Sequence, residues 1–266
     1  MPAMHVALSI AGSDPTGGAG LQADLQVFRH LGVHGAGVVT ALTVQDTGTV
    51  HQVLPAFPSV VLDQLRVLLA DVRPHAIKIG MLASDDVALN VELGLGALAA
   101  GPQPPIVIDP VLAASDGTPL LERRAWDTLA RLISRATLVT PNLSEAAALT
   151  GCDVSTNEGI EAAGCALVSD LGAAAALVKG GHRDGSPNDL LVLREGGSQS
   201  LQWLEGKRID SGPVHGTGCA LASAIAAYLA RGEALSTAVE RGRAFVARAL
   251  EGAVQAGRRA RFLNYS

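Results

Sequence analysis

The feature that most constrains this chain is a recurrence: short, nearly all-apolar runs, closed by glycine or another turn residue, alternate with segments whose apolar residues return at helical spacing. His5 to Ala11 (HVALSIA) runs into the glycine-rich stretch Gly12 to Gly18, after which Leu21, Leu25, Phe28 and Leu31 recur until Gly32, a stop signal. Gly37 to Val44 and His51 to Leu54 read as strands before a helix opened by Pro58, with Val61, Leu65, Leu68 and Leu69 on one face. Ala76 to Ile79 precedes a helix over Ser84 to Ala99, and Pro105 to Asp109 precedes one over Arg124 to Ile133. Thr137 to Thr140 precedes helices over Leu143 to Leu149 and Glu158 to Leu171, and Ala174 to Lys179 is a further strand ending in two glycines. Residues 190 to 209 alternate polar and apolar around Glu195-Gly-Gly197, which predicts two or three antiparallel strands; Thr217 to Ala253 predicts two helices divided near Gly232.

This order predicts an α/β fold: a mostly parallel central sheet with helices on both faces, right-handed crossovers, and an antiparallel section near the C-terminal third. No charged or Ser/Gly-rich linker and no repeat period interrupts residues 1–266, so a single domain is expected. Hydrophobic residues make up 48% and aromatics only 3%, which suits a large core filled by small aliphatic side chains. A net charge of −5 provides no general field for nucleic acid. Cys152, Cys165 and Cys219 form no CxxC pair, and the N-terminal apolar run is too short to span a membrane; a reducing cytoplasm and no membrane partner are expected.

Ligands of such sheets gather at the carboxyl ends of the strands. Gly12, Gly80, Asp109, Asn142 and Lys179 all fall there. The first glycine-rich stretch lacks the Lys-Ser/Thr pair of a P-loop, and Gly216-Thr-Gly218 has Leu221 where a dinucleotide fingerprint needs its third glycine. A nicotinamide cofactor is therefore not expected. Gly216, Thr217, Gly218 and Cys219 do form a glycine-rich turn opening a long apolar helix, where unpaired N–H groups and the helix dipole make an anion site. The same dipole is expected to favour a Cys219 thiolate; the competing reading is a small packed residue. Asn142 and Glu145 also carry the spacing of a helix cap.

Seven segments occur together in a fixed order: Ala11-Gly-Ser-Asp-Pro-Thr-Gly-Gly-Ala-Gly-Leu-Gln-Ala-Asp24, Thr40-Ala-Leu-Thr-Val-Gln45, Lys78-Ile-Gly-Met-Leu82, Asp109-Pro-Val111, Thr140-Pro-Asn-Leu-Ser-Glu145, Val178-Lys-Gly-Gly-His182 and His215-Gly-Thr-Gly-Cys219. As a set they resemble the hydroxymethylpyrimidine and phosphomethylpyrimidine kinases of thiamine synthesis, in the ribokinase-like superfamily, over nearly the whole chain. The resemblance implies ATP and Mg2+ as cofactors, with Gly216, Thr217 and Gly218 cradling the transferred phosphoryl group and Cys219 as base. It implies that Lys179 touches ATP phosphates, that Asn142 and Glu145 organise the metal, Glu145 through water, and that Asp109 helps to hold it. The substrate pyrimidine would lie among Gly12, Gln45, Met81 and Val111, with Asp24 as a further polar contact. A Gln45 amide can both donate and accept, which suits an aminopyrimidine edge, and Met81 offers a soft wall. His182 and His215 read as loop residues rather than ligands. Two departures stand out: Ala114-Ser-Asp-Gly117 lacks the lysine usual in the family, and Asp46 replaces a common Asn. Both bear on the phosphate end of the monophosphate substrate. A homodimer is expected by analogy; pyridoxal kinase and a catalytically silent vitamin sensor are the alternatives on the same fold.

Overall fold

Strands that are apolar on both faces need cover on both faces, and that requirement organises the molecule. The computed structural model describes residues 4–99, 101–181 and 186–265. β1 (Val6–Ser13) lies between β2 (His34–Gln45) and β4 (Ala76–Ile79), and the sheet continues through β5 (Ile106–Ile108), β6 (Leu138–Val139) and β7 (Ala175–Val178), all parallel. Every residue of β4, β5, β6 and β7 is buried. β8 (Asp189–Glu195) and β9 (Ser198–Leu204) extend one side antiparallel, and β3 (Val50–Pro55) closes the other side antiparallel to β2. The order is β3-β2-β1-β4-β5-β6-β7-β8-β9. The edge strands lack this burial: β3 has no buried residue and β9 only Leu204.

Alternation along the strands sends side chains to two apolar clusters. Leu8, Ile10, Ile77, Ile79, Ile106 and Ile108 pack toward α2 (Pro58–Asp71), α3 (Asp85–Leu95), α4 (Trp126–Ile133) and α6 (Asn157–Ser169). Ala7, Ala76, Val107, Leu138, Ala175 and Leu177 pack toward α1 (Gly20–His30), α7 (Thr217–Ala230) and α8 (Leu235–Glu251). From Ala220 to Ala230 every residue of α7 is buried. A helix apolar on all sides belongs in a core, and its alanines permit close approach to the sheet. This accounts for a large core with few aromatics.

Some boundaries move. Ser84 caps its helix instead of joining it, accepting from the Val87 amide at 3.3 Å, and the expected segment to Ala99 ends as a 3-10 turn, Gly96–Ala99. The helix expected from Arg124 likewise begins as a 3-10 turn, Arg123–Ala125, before α4. The polar stretch after residue 190 forms two strands, turning at Gly196-Gly197. The strand expected over His51 to Leu54 forms as β3, although its antiparallel pairing had no signal in the sequence. β11 (Arg261–Phe262), which pairs with β10 (Val214–His215), had no sequence signal, being too short to show a period.

Candidate active site

The carboxyl ends of β1, β2, β4, β5, β6 and β7 open into one cleft of about 960 Å³, closed on its other side by the segment leading into α7. Local chemistry brings the phosphate-end residues together. Lys179 follows β7 directly; its amide donates to Pro141 O at 2.8 Å and it bridges to Asn142, so the two strand ends lie side by side. Its Nζ stands 2.7 Å from Asp109 Oδ1, which also accepts from Thr140 Oγ1 at 3.3 Å. Asp109 Oδ2 forms no hydrogen bond among the described residues. Burial works against the Lys179 charge, but Asp109 and Glu145 outweigh it and raise its pKa above the ordinary lysine value.

α5 (Leu143–Thr150) begins with a full capping box: Asn142 Oδ1 accepts from the Glu145 amide and Glu145 Oε2 from the Asn142 amide, each at 2.8 Å. Both residues also line the cleft, so capping and cleft placement coexist. Burial pushes the Glu145 carboxyl up to about 7, Lys179 opposing the shift and Asp109 adding to it.

Gly216 is the residue before α7 and has φ of 78°, with a Cβ at this position running into the Gly18 carbonyl. A Cβ on Gly218 would lie 3.1 Å from Lys179 Nζ and 3.5 Å from Asp109 Oδ2. Glycine at both places lets the amide-bearing turn approach the first loop and the Lys179–Asp109 pair. Cys219 follows, partly open to the cleft but enclosed on its other sides. Here the expected thiolate is corrected: desolvation pushes the Cys219 thiol up to about 11, the pull of Lys78 being insufficient, with Asp109 and Asp24 adding to the rise. A helix N-terminus lowers a thiol pKa only where burial does not exceed it.

Gly12, Gln45, Met81 and Val111 line the other end of the cleft, as does His215. Asp24 does not line it. Its carboxylate is fully buried, Oδ1 accepting from Lys78 Nζ at 3.0 Å and Ser223 Oγ at 2.6 Å, Oδ2 from Lys78 Nζ at 2.8 Å and Ser9 Oγ at 2.5 Å. With both oxygens engaged, Asp24 has nothing to offer a ligand, and the expected substrate contact is replaced by a tie among α1, β1, β4 and α7. His215 also departs from expectation: it lies in β10 and its Nε2 meets Asp14 Oδ2 at 2.9 Å. His182 lies outside the described residues.

Sequence reasoning also missed the far end of the cleft. Asp189 accepts from the Gly180 amide at 2.8 Å and from Arg243 Nε at 2.7 Å, while Leu221, Val246 and Leu250 provide apolar wall. Asp189 and Arg243 belong to no short motif, and only folding brings them together.

A sheet covered on both faces, whose carboxyl edge gathers an amide turn, a paired lysine and two carboxylates, belongs to the ribokinase-like phosphotransferases. The model for the family described as phosphomethylpyrimidine kinase matches residues 14–264, and the chain belongs to that family. It is 41% identical over 247 residues to the hydroxymethylpyrimidine/phosphomethylpyrimidine kinase of Salmonella typhimurium, covering 92% of this chain and 90% of that one. Among solved structures it resembles phosphomethylpyrimidine kinase from Clostridium difficile, with TM-score 0.79 and 33% identity over 92% of this chain and 99% of that one. It also resembles Staphylococcus aureus pyridoxal kinase in complex with AMP-PCP and pyridoxal, with TM-score 0.83 and 30% identity over 99% and 94% of the two chains. Among the described residues, no helix is long and apolar enough to cross a membrane.

Proposed function

We propose that this chain transfers the γ-phosphoryl group of ATP to 4-amino-5-hydroxymethyl-2-methylpyrimidine and then to its monophosphate. The observation that carries this reading is one continuous cleft with two chemically different ends. At one end, Lys179 and the amides of Gly216 to Cys219 converge as phosphate donors; at the other, Met81 and Val111 give apolar wall beside the Gln45 amide. The reacting atoms would meet between them, beside Cys219.

The donor set suits Mg2+. Asp109 and Glu145 offer hard oxygen ligands, and among the described residues Asp109 Oδ2 is unengaged. Among the described residues no three His, Cys, Asp or Glu side chains converge as a cage, so these two carboxylates would hold the ion together with phosphate oxygens. When bound, the ion supplies neutralisation of the triphosphate charge. Lys179 holds phosphate oxygens from the β7 side, and the amide turn receives the transferring group, donors fixed in place before charge develops. Cys219 takes the hydroxymethyl proton. A thiol held near 11 must first release its own proton to solvent through the cleft, and Lys78 is the cation that favours this. The apolar wall of Leu221, Val246 and Leu250 receives the nucleotide base, with Asp189 and Arg243 at its rim. A symmetric dimer in the cytoplasm completes the reading.

Pyridoxal is the competing substrate, favoured by the likeness to a pyridoxal kinase fold. A phosphoryl-transfer assay with ATP and Mg2+ against hydroxymethylpyrimidine, its monophosphate and pyridoxal separates the two. Turnover of both pyrimidines at higher kcat/KM than pyridoxal is expected; a preference for pyridoxal would replace the reading.

A further inference from the structure

At the ring end of the cleft, side chains from three distant parts of the chain meet at one atom. His215 Nε2 stands 2.9 Å from Asp14 Oδ2 and 3.3 Å from Gln45 Nε2. Asp14 decides which of them donates. Its Oδ1 accepts from the Thr16 amide at 2.8 Å; its Oδ2 accepts from Thr16 Oγ1 and from the Ala19 amide, both at 2.9 Å. Burial alone would raise the Asp14 pKa, but the bonds from His215 and Thr16 hold it below the ordinary carboxylate value. An ionised carboxylate only accepts, so His215 carries its proton on Nε2.

A protonated Nε2 facing an amide NH2 at 3.3 Å sets donor against donor. The two amide orientations of a glutamine have the same shape, and the hydrogen-bond network selects between them. With Oε1 turned to His215, the imidazole N–H is shared between Asp14 and Gln45, and the conflict disappears. The Gln45 side chain forms no other hydrogen bond among the described residues, and it lines the cleft. Its NH2 is then the group left for a ligand.

We propose that His215 is a positioning residue: its Nε2–H fixes Gln45 with the carbonyl turned inward and the NH2 toward the cleft, so this wall reads a hydrogen-bond acceptor on the ligand ring. The inference rests on the reading of this end as the pyrimidine subsite, and it names what Gln45 recognises there, a ring nitrogen instead of an amino group. His215 also precedes Gly216 directly, so one side chain ties ring recognition to the anion turn. Its backbone is held by β11, with Phe262 packed beside Gly18.

Two measurements test this. Nitrogen-15 NMR of the wild-type imidazoles should show His215 as the Nε2–H tautomer at neutral pH. In steady-state kinetics, His215→Leu should raise the pyrimidine KM about tenfold, one net hydrogen bond, while the ATP KM stays within about twofold. The same change should add little in a Gln45→Ala background, because His215 acts through Gln45. His215→Gln, which keeps a donor, should recover part of the loss. A substrate analogue with C–H in place of the ring nitrogen beside the amino-bearing carbon should be penalised by wild type and far less by Gln45→Ala. An Nδ1–H tautomer, additive kinetic effects or an unchanged pyrimidine KM would each overturn the inference. If wild type phosphorylates no hydroxymethylpyrimidine, the functional reading fails instead, and the tautomer still judges the His215–Gln45 arrangement.

Discussion

Two lysine–aspartate pairs lie among the described residues, and they behave differently. Lys78 and Asp24 are both 0% exposed and 2.8 Å apart, and both Asp24 oxygens carry a serine bond as well. Lys179 and Asp109 are 2.7 Å apart at the cleft, the lysine 16% exposed, and one Asp109 oxygen is left over. Burial opposes the charge on Lys78, yet Asp24, with smaller help from Cys219 and Asp109, holds its pKa above the usual lysine value. The saturated pair is committed to holding four elements together; the unsaturated one keeps capacity for a ligand. Residual hydrogen-bonding capacity, more than charge, separates the pair proposed for the phosphate site from the structural one.

The sharpest way to break the comparison is Lys78→Met. It leaves a buried, uncompensated Asp24 and should destabilise the fold by about 3–5 kcal/mol in urea unfolding, whereas Lys78→Met with Asp24→Leu should regain most of that. If the single variant loses less than the Lys179→Met variant, the assignment of roles is reversed. Lys179→Met should instead fold with a smaller loss of stability and lower kcat by about 100-fold, the usual worth of one preorganised charge donor. Wild-type kcat in that variant would remove Lys179 from the phosphate site.

Cys219 lies between the two pairs and sharpens the contrast. Cys219→Ala should fold normally and lose turnover by about 100-fold, the lower range for a positioned proton acceptor. With its thiol at about 11, wild-type Cys219 should react slowly with iodoacetamide at pH 7 and faster as pH rises toward 10. Fast alkylation at neutral pH would show that Lys78 and the helix dipole prevail over burial after all.

The smallest expected effect concerns Glu145 in protein free of metal and nucleotide. Its folded pKa of about 7 lies above the 4.5 of an unperturbed glutamate. The folded state therefore holds the proton more tightly, its stabilising contribution is full below pH 4.5, and it is lost as pH rises to about 7. Between those values wild type should lose about 1–3 kcal/mol relative to Glu145→Gln, which keeps an acceptor for the Asn142 amide but cannot ionise. Parallel pH–stability curves for the two proteins would mean that Glu145 is not desolvated.

What could be read from the sequence alone was whatever depends on neighbours along the chain. The period of apolar residues identified the buried strands, the glycines marked the turns at their carboxyl ends, and Asn142 with Glu145 announced a cap that forms as expected. Gly216 to Cys219 announced, for the same reason, a glycine turn that opens a helix, and it forms at the start of α7. Tertiary structure decided the rest. Asp24 became a buried tie because Ser9, Lys78 and Ser223, from three other elements, converge on it. His215 joined Asp14 and Gln45 across separations of 201 and 170 residues. The Cys219 thiol was raised because desolvation there exceeds the pull of Lys78. Periodicity and capping are short-range properties that a sequence displays directly, whereas desolvation and the meeting of charges depend on which surfaces the packed sheet and helices bring face to face.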